Sequence, residues 1–178
     1  NGFETEGWWY EGAGIYRHVR LYAKEKLHIA HNGIFGKPVL KKGTKNSWNV
    51  EVETVLENSN YKPDEASVRA TILDGDTVIA QSVSALVSCD YASKATVNQK
   101  LSVSRPTRWD VDNPKLYMLK VEVLKNGEAI DEESARIGFR TFSVDAEKGF
   151  FLNGRQLKIK GTCNHQDHAG VGVAVPDS

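Results

Sequence analysis

The stretch at residues 137–172, IGFRTFSVDAEKGFFLNGRQLKIKGTCNHQDHAGVG, decides the fold of this chain. Its two apolar runs, FFL at 150–152 and LKI at 157–159, are separated by Asn153-Gly154-Arg155-Gln156. Because asparagine and glycine both tolerate positive φ, Asn153-Gly154 predicts a two-residue β-hairpin turn. The preceding segment ARIGFRTF, residues 135–142, predicts the closing strand of a β domain. The stretch therefore predicts a junction between one β domain and the first strand of another.

A polar cluster, KGTCNHQDH at residues 160–168, follows the second apolar run. Functional side chains often lie on loops that a rigid strand positions, so this cluster is the candidate site. Cys163, His165, Asp167 and His168 are residue types that bind zinc, but ligands so close together on an extended strand end do not easily converge into a tetrahedron. We therefore predict no metal site and no cofactor.

Upstream of residue 135 the apolar and polar residues alternate with a period of two, which predicts strands with one buried face. Residues 47–56 (SWNVEVETVL) form the clearest predicted strand, with Trp48, Val50 and Val52 on one face. Other predicted elements are a strand at 27–32, a turn and short strand at 33–43, a hairpin at 67–79, a strand at 94–104 and a strand from Tyr117 that turns at Asn126-Gly127. Residues 25–145 thus predict about seven short strands in a two-sheet antiparallel sandwich, as in immunoglobulin-like domains.

The large aromatic side chains and the two cysteines have more than one reading. Trp48 and Trp109 are predicted core residues. The cluster Trp8-Trp9-Tyr10 is either an aromatic plug beneath a strand or a platform that stacks on sugars. Cys89 and Cys163 are predicted to be free thiols, because no disulfide framework is visible.

The charge balance argues against several function classes. Lys plus Arg and Asp plus Glu both number 23, so the chain lacks the basic surplus of a nucleic-acid binder. It has no apolar run of about 18 residues that would span a membrane. The acidic pairs Glu132-Glu133, Asp64-Glu65 and Asp145-Glu147 are predicted to be solvated, not catalytic.

Five motifs together resemble glycoside hydrolase family 2, the group of β-galactosidases and β-glucuronidases. They occur in the order that this family has, which makes the combination more specific than any one of them. The motifs are GAGIYRHVRL (12–21), WDVDNPKLYMLKVEV (109–123), GFR (138–140), GFFLNG (149–154) and IKGTCNHQDH (159–168).

The resemblance implies an all-β fold with a specific domain organisation. Residues 1–24 would be the C-terminal strand region of a jelly-roll sugar-binding domain, and residues 25–145 an immunoglobulin-like β-sandwich. Residues 146–178 would be the incomplete start of a catalytic (β/α)8 barrel, with Lys158-Ile159-Lys160 as its first strand.

The resemblance also implies that the chain is the non-catalytic middle domain of a retaining glycosidase acting on terminal β-galactosides or related β-glycosides. The two catalytic glutamates, about 5 Å apart in such enzymes, would lie outside this chain, which alone is predicted to be inactive. Asn164, His165 and Asp167 would lie at a barrel strand's carboxyl end, where they would contact the sugar. The partners would be a carbohydrate substrate and the neighbouring jelly-roll and barrel domains; the compartment would be periplasmic or secreted.

An alternative function is a stand-alone immunoglobulin-like module that binds a glycan or a protein through Trp8-Trp9-Tyr10. Such a module would end near residue 145, whereas this chain continues into an apolar hairpin. Exposed apolar strands favour pairing with other strands. We therefore expect either disorder beyond about residue 145, or a tail packed on its own sandwich or on a second copy by self-association.

Overall fold

The computed structural model describes residues 15, 17–163, 174 and 175. The chain divides into two compact units, one of residues 24–158 and one of residues 1–23 and 159–178. The first unit contains every strand of the described chain. Its architecture determines how the junction is built.

The described residues form eleven β-strands and no helix, as the alternating pattern predicts. No helix in this part of the chain is therefore long and apolar enough to cross a membrane. The strands are β1 Leu27–Leu40, β2 Ser47–Asn58, β3 Asp64–Asp74, β4 Thr77–Val83, β5 Val87–Cys89, β6 Ser93–Ser104, β7 Tyr117–Lys125, β8 Glu128–Ile137, β9 Phe142–Asp145, β10 Gly149–Leu152 and β11 Arg155–Gln156.

The strands pair in three sheets, and all the pairings are antiparallel. One sheet has the order β1-β2-β6, and a five-stranded sheet has the order β4-β3-β7-β8 with β5 paired to β3. These two sheets form what we call the two-sheet body. The third, with the order β11-β10-β9, is called the small sheet.

One hydrophobic core joins the two sheets of the body. In β2, side chains at alternate positions from Trp48 to Asn58 are buried, as the period of two predicts. The apolar ones share a core cluster with Val68 and Ile72 of β3 and with Leu119 and Val121 of β7. Because apolar burial is the main favourable term in folding, this alternation holds the two sheets together.

Phe139, which follows β8, completes the core with an aromatic cluster. It is fully buried and makes edge-to-face contacts with Trp48 and Tyr117, with ring centroids 5.5 and 5.1 Å apart. Such pairs contribute about 0.5–1.5 kcal/mol each beyond area burial. Trp48 is thus the core residue that the sequence predicted, whereas Trp109 is only partly buried.

Two Asn-Gly pairs form the predicted tight turns. Asn126 and Gly127 have φ of 53° and 85°, and Lys125 pairs with Glu128 across them. Asn153 and Gly154 have φ of 52° and 82°, and Leu152 pairs with Arg155. Positive φ at both central residues is what a two-residue hairpin requires.

Two predicted elements were wrong in their boundaries. Residues 33–43 are not a turn and a separate strand, because β1 runs on to Leu40 through an irregularity between Ile29 and Ile34 where Asn32 has φ 54°. Residues 135–142 are not one closing strand either. The strand β8 ends at Ile137, and β9 begins at Phe142 in a different sheet.

The second arm of the last hairpin is shorter than the sequence predicted. It comprises only Arg155 and Gln156, although the Leu157 amide also donates to the Phe150 carbonyl at 2.9 Å. Residues 158–160, predicted as a strand, are not in a strand in the described structure. A strand needs hydrogen-bonded neighbours, and no described segment pairs with these residues.

Candidate functional site

Three of the quoted motifs meet in one place, which we call the junction. The Trp109 amide donates to the Phe139 carbonyl at 3.0 Å. A Cβ on Gly138 would lie 3.1 Å from the Trp109 Cβ, so the glycine lets the backbone approach this side chain closely. The Arg140 guanidinium lies over the indole ring, 4.6 Å from its centroid, in a cation–π contact. The tryptophan is therefore held between the chain that leaves β8 and a cationic side chain.

Asn153 connects the small sheet to this tryptophan. Its side-chain Nδ2 donates to the Trp109 carbonyl at 2.9 Å and to Asp110 Oδ2 at 3.2 Å. Its Oδ1 accepts from the Thr141 amide at 3.1 Å, and its own amide donates to the Thr141 carbonyl at 2.8 Å. One asparagine thus satisfies backbone groups on two other segments, which an amide with both donor and acceptor atoms can do.

Arg155 adds an ionic contact beside the asparagine. Its Nη2 donates to Asp110 Oδ1 at 2.8 Å and to Asp112 Oδ2 at 2.9 Å. The hydrogen bond from the Asn153 side chain is the main cause that holds the pKa of Asp110 below its ordinary value. The charge of Arg155 and the backbone amide of Val111 lower this pKa further. The carboxylates of Asp112 and Asp110 raise the pKa of Arg155. Asp110 is therefore ionised at neutral pH and accepts charge-assisted hydrogen bonds.

The sequence predicted sugar contacts in two places, the polar cluster after the last hairpin and the N-terminal aromatic cluster. Asn164, His165 and Asp167 lie outside the described residues, as do Trp8, Trp9 and Tyr10. Cys89 is buried and Cys163 is exposed, and both are free thiols as predicted. In the described part of the chain, no three side chains of His, Cys, Asp or Glu are placed to hold a metal ion.

Three of the carboxylates that the sequence predicted as solvated form ion pairs, and one of them, Glu132, is also exposed. Glu132 bonds Lys120 at 2.8 Å and Glu133 bonds Lys24 at 2.6 Å. Asp64 bonds Lys125 at 2.7 Å, which lowers the Asp64 pKa, and only 14% of its side chain is exposed. These acidic side chains therefore make structural contacts, which lie across the five-stranded sheet and at its edges.

From the sequence, Asn153 is predicted as a turn residue, but the contacts of its side chain are not predicted. The turn is a local property, but the contacts of the amide lie 43 and 44 residues away in sequence. One signal was present: the acidic loop Asp110-Val111-Asp112 and the basic residue after the turn, Arg155, have complementary charges. Charge alone does not specify which of the 23 basic residues is the partner.

Comparison with known proteins places this arrangement in a family. The model for glycosyl hydrolases family 2 matches residues 27–140. The β-galactosidase BoGH2A of Bacteroides ovatus is 34% identical over 176 residues, which is 98% of this chain and 20% of that protein. A β-glucuronidase of Bacteroides fragilis is 30% identical over 169 residues, or 91% of this chain and 24% of that protein. The chain thus spans about a fifth of the length of the curated relatives it matches.

Solved structures agree with the sequence comparison. A glycosyl hydrolase family 2 member from Bacteroides cellulosilyticus superposes with a TM-score of 0.75 at 32% identity, covering 85% of this chain and 20% of that one. A β-glycosidase from Bacteroides vulgatus superposes with a TM-score of 0.70 at 30% identity, covering 95% of this chain and 20% of that one. The matched residues include every strand of the two-sheet body and the Trp109 end of the junction, and on this evidence the chain belongs to glycosyl hydrolases family 2.

Proposed function

We propose that this chain is the non-catalytic part of a retaining glycosidase that hydrolyses terminal β-galactosides or related β-glycosides. The observation that carries the proposal is the family match over residues 27–140 in a chain that spans about a fifth of relatives named β-galactosidase and β-glucuronidase. Retaining hydrolysis needs a nucleophile and an acid/base carboxylate about 5 Å apart. In this proposal both are glutamates outside the chain.

The same proposal assigns the three regions of the chain. Residues 25–145, which contain the two-sheet body and β9, would be an immunoglobulin-like sandwich, since two antiparallel sheets share one core there. Residues 1–24 would belong to a jelly-roll domain and residues 146–178 to the start of a (β/α)8 barrel. The small sheet bonded to Asp110 supports a role for the body as the platform on which that barrel begins.

Asn164, His165 and Asp167 are the proposed contacts to the sugar. They follow residues 158–160, which pair with no described segment here but would become the first barrel strand beside the other strands of a full-length enzyme. Barrel active sites lie at the carboxyl ends of the strands. The proposed partners are therefore a carbohydrate substrate and the neighbouring jelly-roll and barrel domains. Self-association would follow where the C-terminal tail beyond about residue 145 packs on a second copy instead of on these domains.

The first experiment is to sequence the source gene beyond the codon for Ser178. The proposal expects an open frame of several hundred further codons that encodes an Asn-Glu pair and a second glutamate at barrel-strand ends. A stop codon directly after Ser178 would overturn it. The encoded enzyme should then hydrolyse an aryl β-galactoside or β-glucuronide, and replacing either glutamate with glutamine should abolish turnover.

The isolated chain provides the complementary assay. Purified residues 1–178 should not hydrolyse either aryl glycoside above the buffer rate, because no catalytic pair is proposed within them. If purified residues 1–178 still hydrolyse the substrate after contaminating glycosidases are removed, the proposal that the catalytic pair lies outside them is contradicted. The matched sample is the full-length enzyme with its nucleophile replaced, which should be equally inactive.

A further inference from the structure

We propose that Asp110, Asn153 and Arg155 form a latch that positions the proposed sugar-contacting loop for catalysis in the full-length enzyme. This inference rests on the proposed function and deepens it, because it assigns a role in the reaction to residues of the non-catalytic body. The observation behind it is that the Asn153 side chain, in the turn of the small sheet, bonds both the Trp109 carbonyl and the backbone amide of Thr141, the residue before β9.

The latch fixes the small sheet through side-chain contacts of several kinds. The side-chain amide of Asn153 donates to the Trp109 carbonyl and accepts from the backbone amide of Thr141. The Arg155 guanidinium donates to the carboxylates of Asp110 and Asp112. Leu152, directly before the turn, is only 3% exposed, so the small sheet also buries an apolar anchor. Hydrogen bonds prescribe direction, whereas apolar burial does not. The latch therefore supplies the orientation that Leu152 alone cannot.

The latch precedes the proposed sugar-contacting residues by a short stretch of sequence. Arg155 precedes Asn164 by nine positions and His165 by ten. The segment between them begins with Gln156, whose side-chain Nε2 donates to the Lys148 carbonyl at 2.6 Å. A rotation of the small sheet would therefore shift the start of the segment that carries the proposed sugar contacts. A displacement of about 1 Å at a catalytic group can lower the rate about a hundredfold.

The turn and the latch can be separated by one substitution. Asn153 has φ 52°, a conformation that glycine adopts freely, so Asn153→Gly keeps the turn and removes only the side-chain bonds. Asn126 has φ 53° in the same type of turn and offers a matched control, Asn126→Gly. Its turn closes the far end of the hairpin of β7 and β8, about 25 Å from the junction. Both variants carry the same substitution in the same type of turn, but only Asn153→Gly removes hydrogen bonds of the latch.

The experiment uses the full-length enzyme and the substrate on which it is active. At a temperature well below unfolding, we expect Asn153→Gly to lower kcat/KM about tenfold, mainly through kcat, since displaced catalytic groups affect the reaction step. Asn126→Gly should stay within about twofold of the unchanged enzyme, as surface substitutions away from special features usually do. Asn153→Asp should be as impaired as Asn153→Gly, because a carboxylate cannot donate to the Trp109 carbonyl.

Each outcome bears on the proposal. Equal kcat/KM for Asn153→Gly and Asn126→Gly, with a lower melting temperature only for Asn153→Gly, would reduce the latch to a structural contact and overturn its catalytic role. If the full-length enzyme without any substitution has no glycosidase activity, the proposed function itself is overturned. In that case amide hydrogen exchange still tests the physical latch: the Phe150 and Phe151 amides should exchange faster in Asn153→Gly than in Asn126→Gly, and equal rates would contradict it.

Discussion

At the residue scale, the buried asparagine Asn58 organises one end of the two-sheet body. Its Nδ2 donates to the carbonyls of Lys62, Cys89 and Asp90 at 3.0, 2.9 and 3.1 Å, and its Oδ1 accepts from the Asn60 amide at 2.9 Å. The residue is 1% exposed, so water cannot simply replace these bonds. A buried carbonyl that loses its donor carries a desolvation penalty.

We therefore expect Asn58→Ala to lower the free energy of unfolding by about 2–3 kcal/mol. The measurement is urea unfolding followed by tryptophan fluorescence, since Trp48 is fully buried on the same strand. The matched control is Asn98→Ala on β6, an exposed position where the change should stay within about 0.5 kcal/mol. Equal unfolding midpoints for the two variants would contradict the role of Asn58.

The carboxylate of Asp110 predicts a pH dependence at the same scale. The Asn153 amide and the Arg155 charge lower its pKa in the folded state. A lowered folded pKa stabilises the fold above the unfolded value, about 3.9, and this contribution is lost as the pH falls through the folded pKa. Asp110 should thus stabilise the junction at neutral pH and cease to do so in strong acid.

The test compares the chain with its Asp110→Asn variant in urea at pH 7, 5 and 3. Asp64 and Glu122 also have lowered pKa values, so the difference between the two proteins isolates the contribution of Asp110. We expect the midpoints to differ equally at pH 7 and 5 and to converge toward pH 3. A difference that stays constant down to pH 3 would show that the charge of Asp110 is irrelevant. Asp112→Asn, at a side chain 77% exposed, should show the smaller effect.

At the scale of the element, the approach of β1 to the opposite sheet depends on a residue without a side chain. A Cβ on Gly36 would lie 2.6 Å from Leu119 Cδ2 and 3.2 Å from Ile137 Cγ2. Both contacted residues are buried in the core cluster and have little room to move. Introducing a methyl group into a packed core costs about 1–3 kcal/mol.

Gly36→Ala should accordingly destabilise the two-sheet body by about that amount, as measured by thermal unfolding. Gly161→Ala provides the control, because a Cβ there meets nothing within 4 Å. If Gly36→Ala melts at the same temperature as Gly161→Ala, then β1 and the opposite sheet do not pack as closely as the structure shows.

The elements that the sequence predicted well are those whose cause is local. The strand at 47–56 follows from alternation, and both Asn-Gly turns follow from the φ that these two residues tolerate. The end of β8 at Ile137 was missed because its cause is tertiary: Gly138 packs against Trp109, and Phe139 enters the core. The latch was missed for the same reason, since the Asn153 side chain bonds a segment 44 residues earlier.

At the scale of the whole molecule, residues 24–158 form one compact unit that contains both the two-sheet body and the small sheet. The sequence left open whether the region beyond about residue 145 is disordered, packs on its own body or packs on a second copy. Asp145 Oδ1 accepts from the Lys148 amide at 2.8 Å, and the Lys148 carbonyl accepts from Gln156. A peptide bond held on both sides by such contacts must open locally before a protease can cleave it.

We therefore expect limited trypsin digestion of the chain to leave a resistant fragment that still includes Lys148 and ends near Lys158 or Lys160. Asn153→Gly should release the small sheet and make Lys148 an early cleavage site, whereas Asn126→Gly should not. Mass measurement of the fragments over time distinguishes these cases. Early cleavage after Lys148 in the unchanged chain would mean that the small sheet is not held on the body. The body would then end near residue 145, as a stand-alone module would.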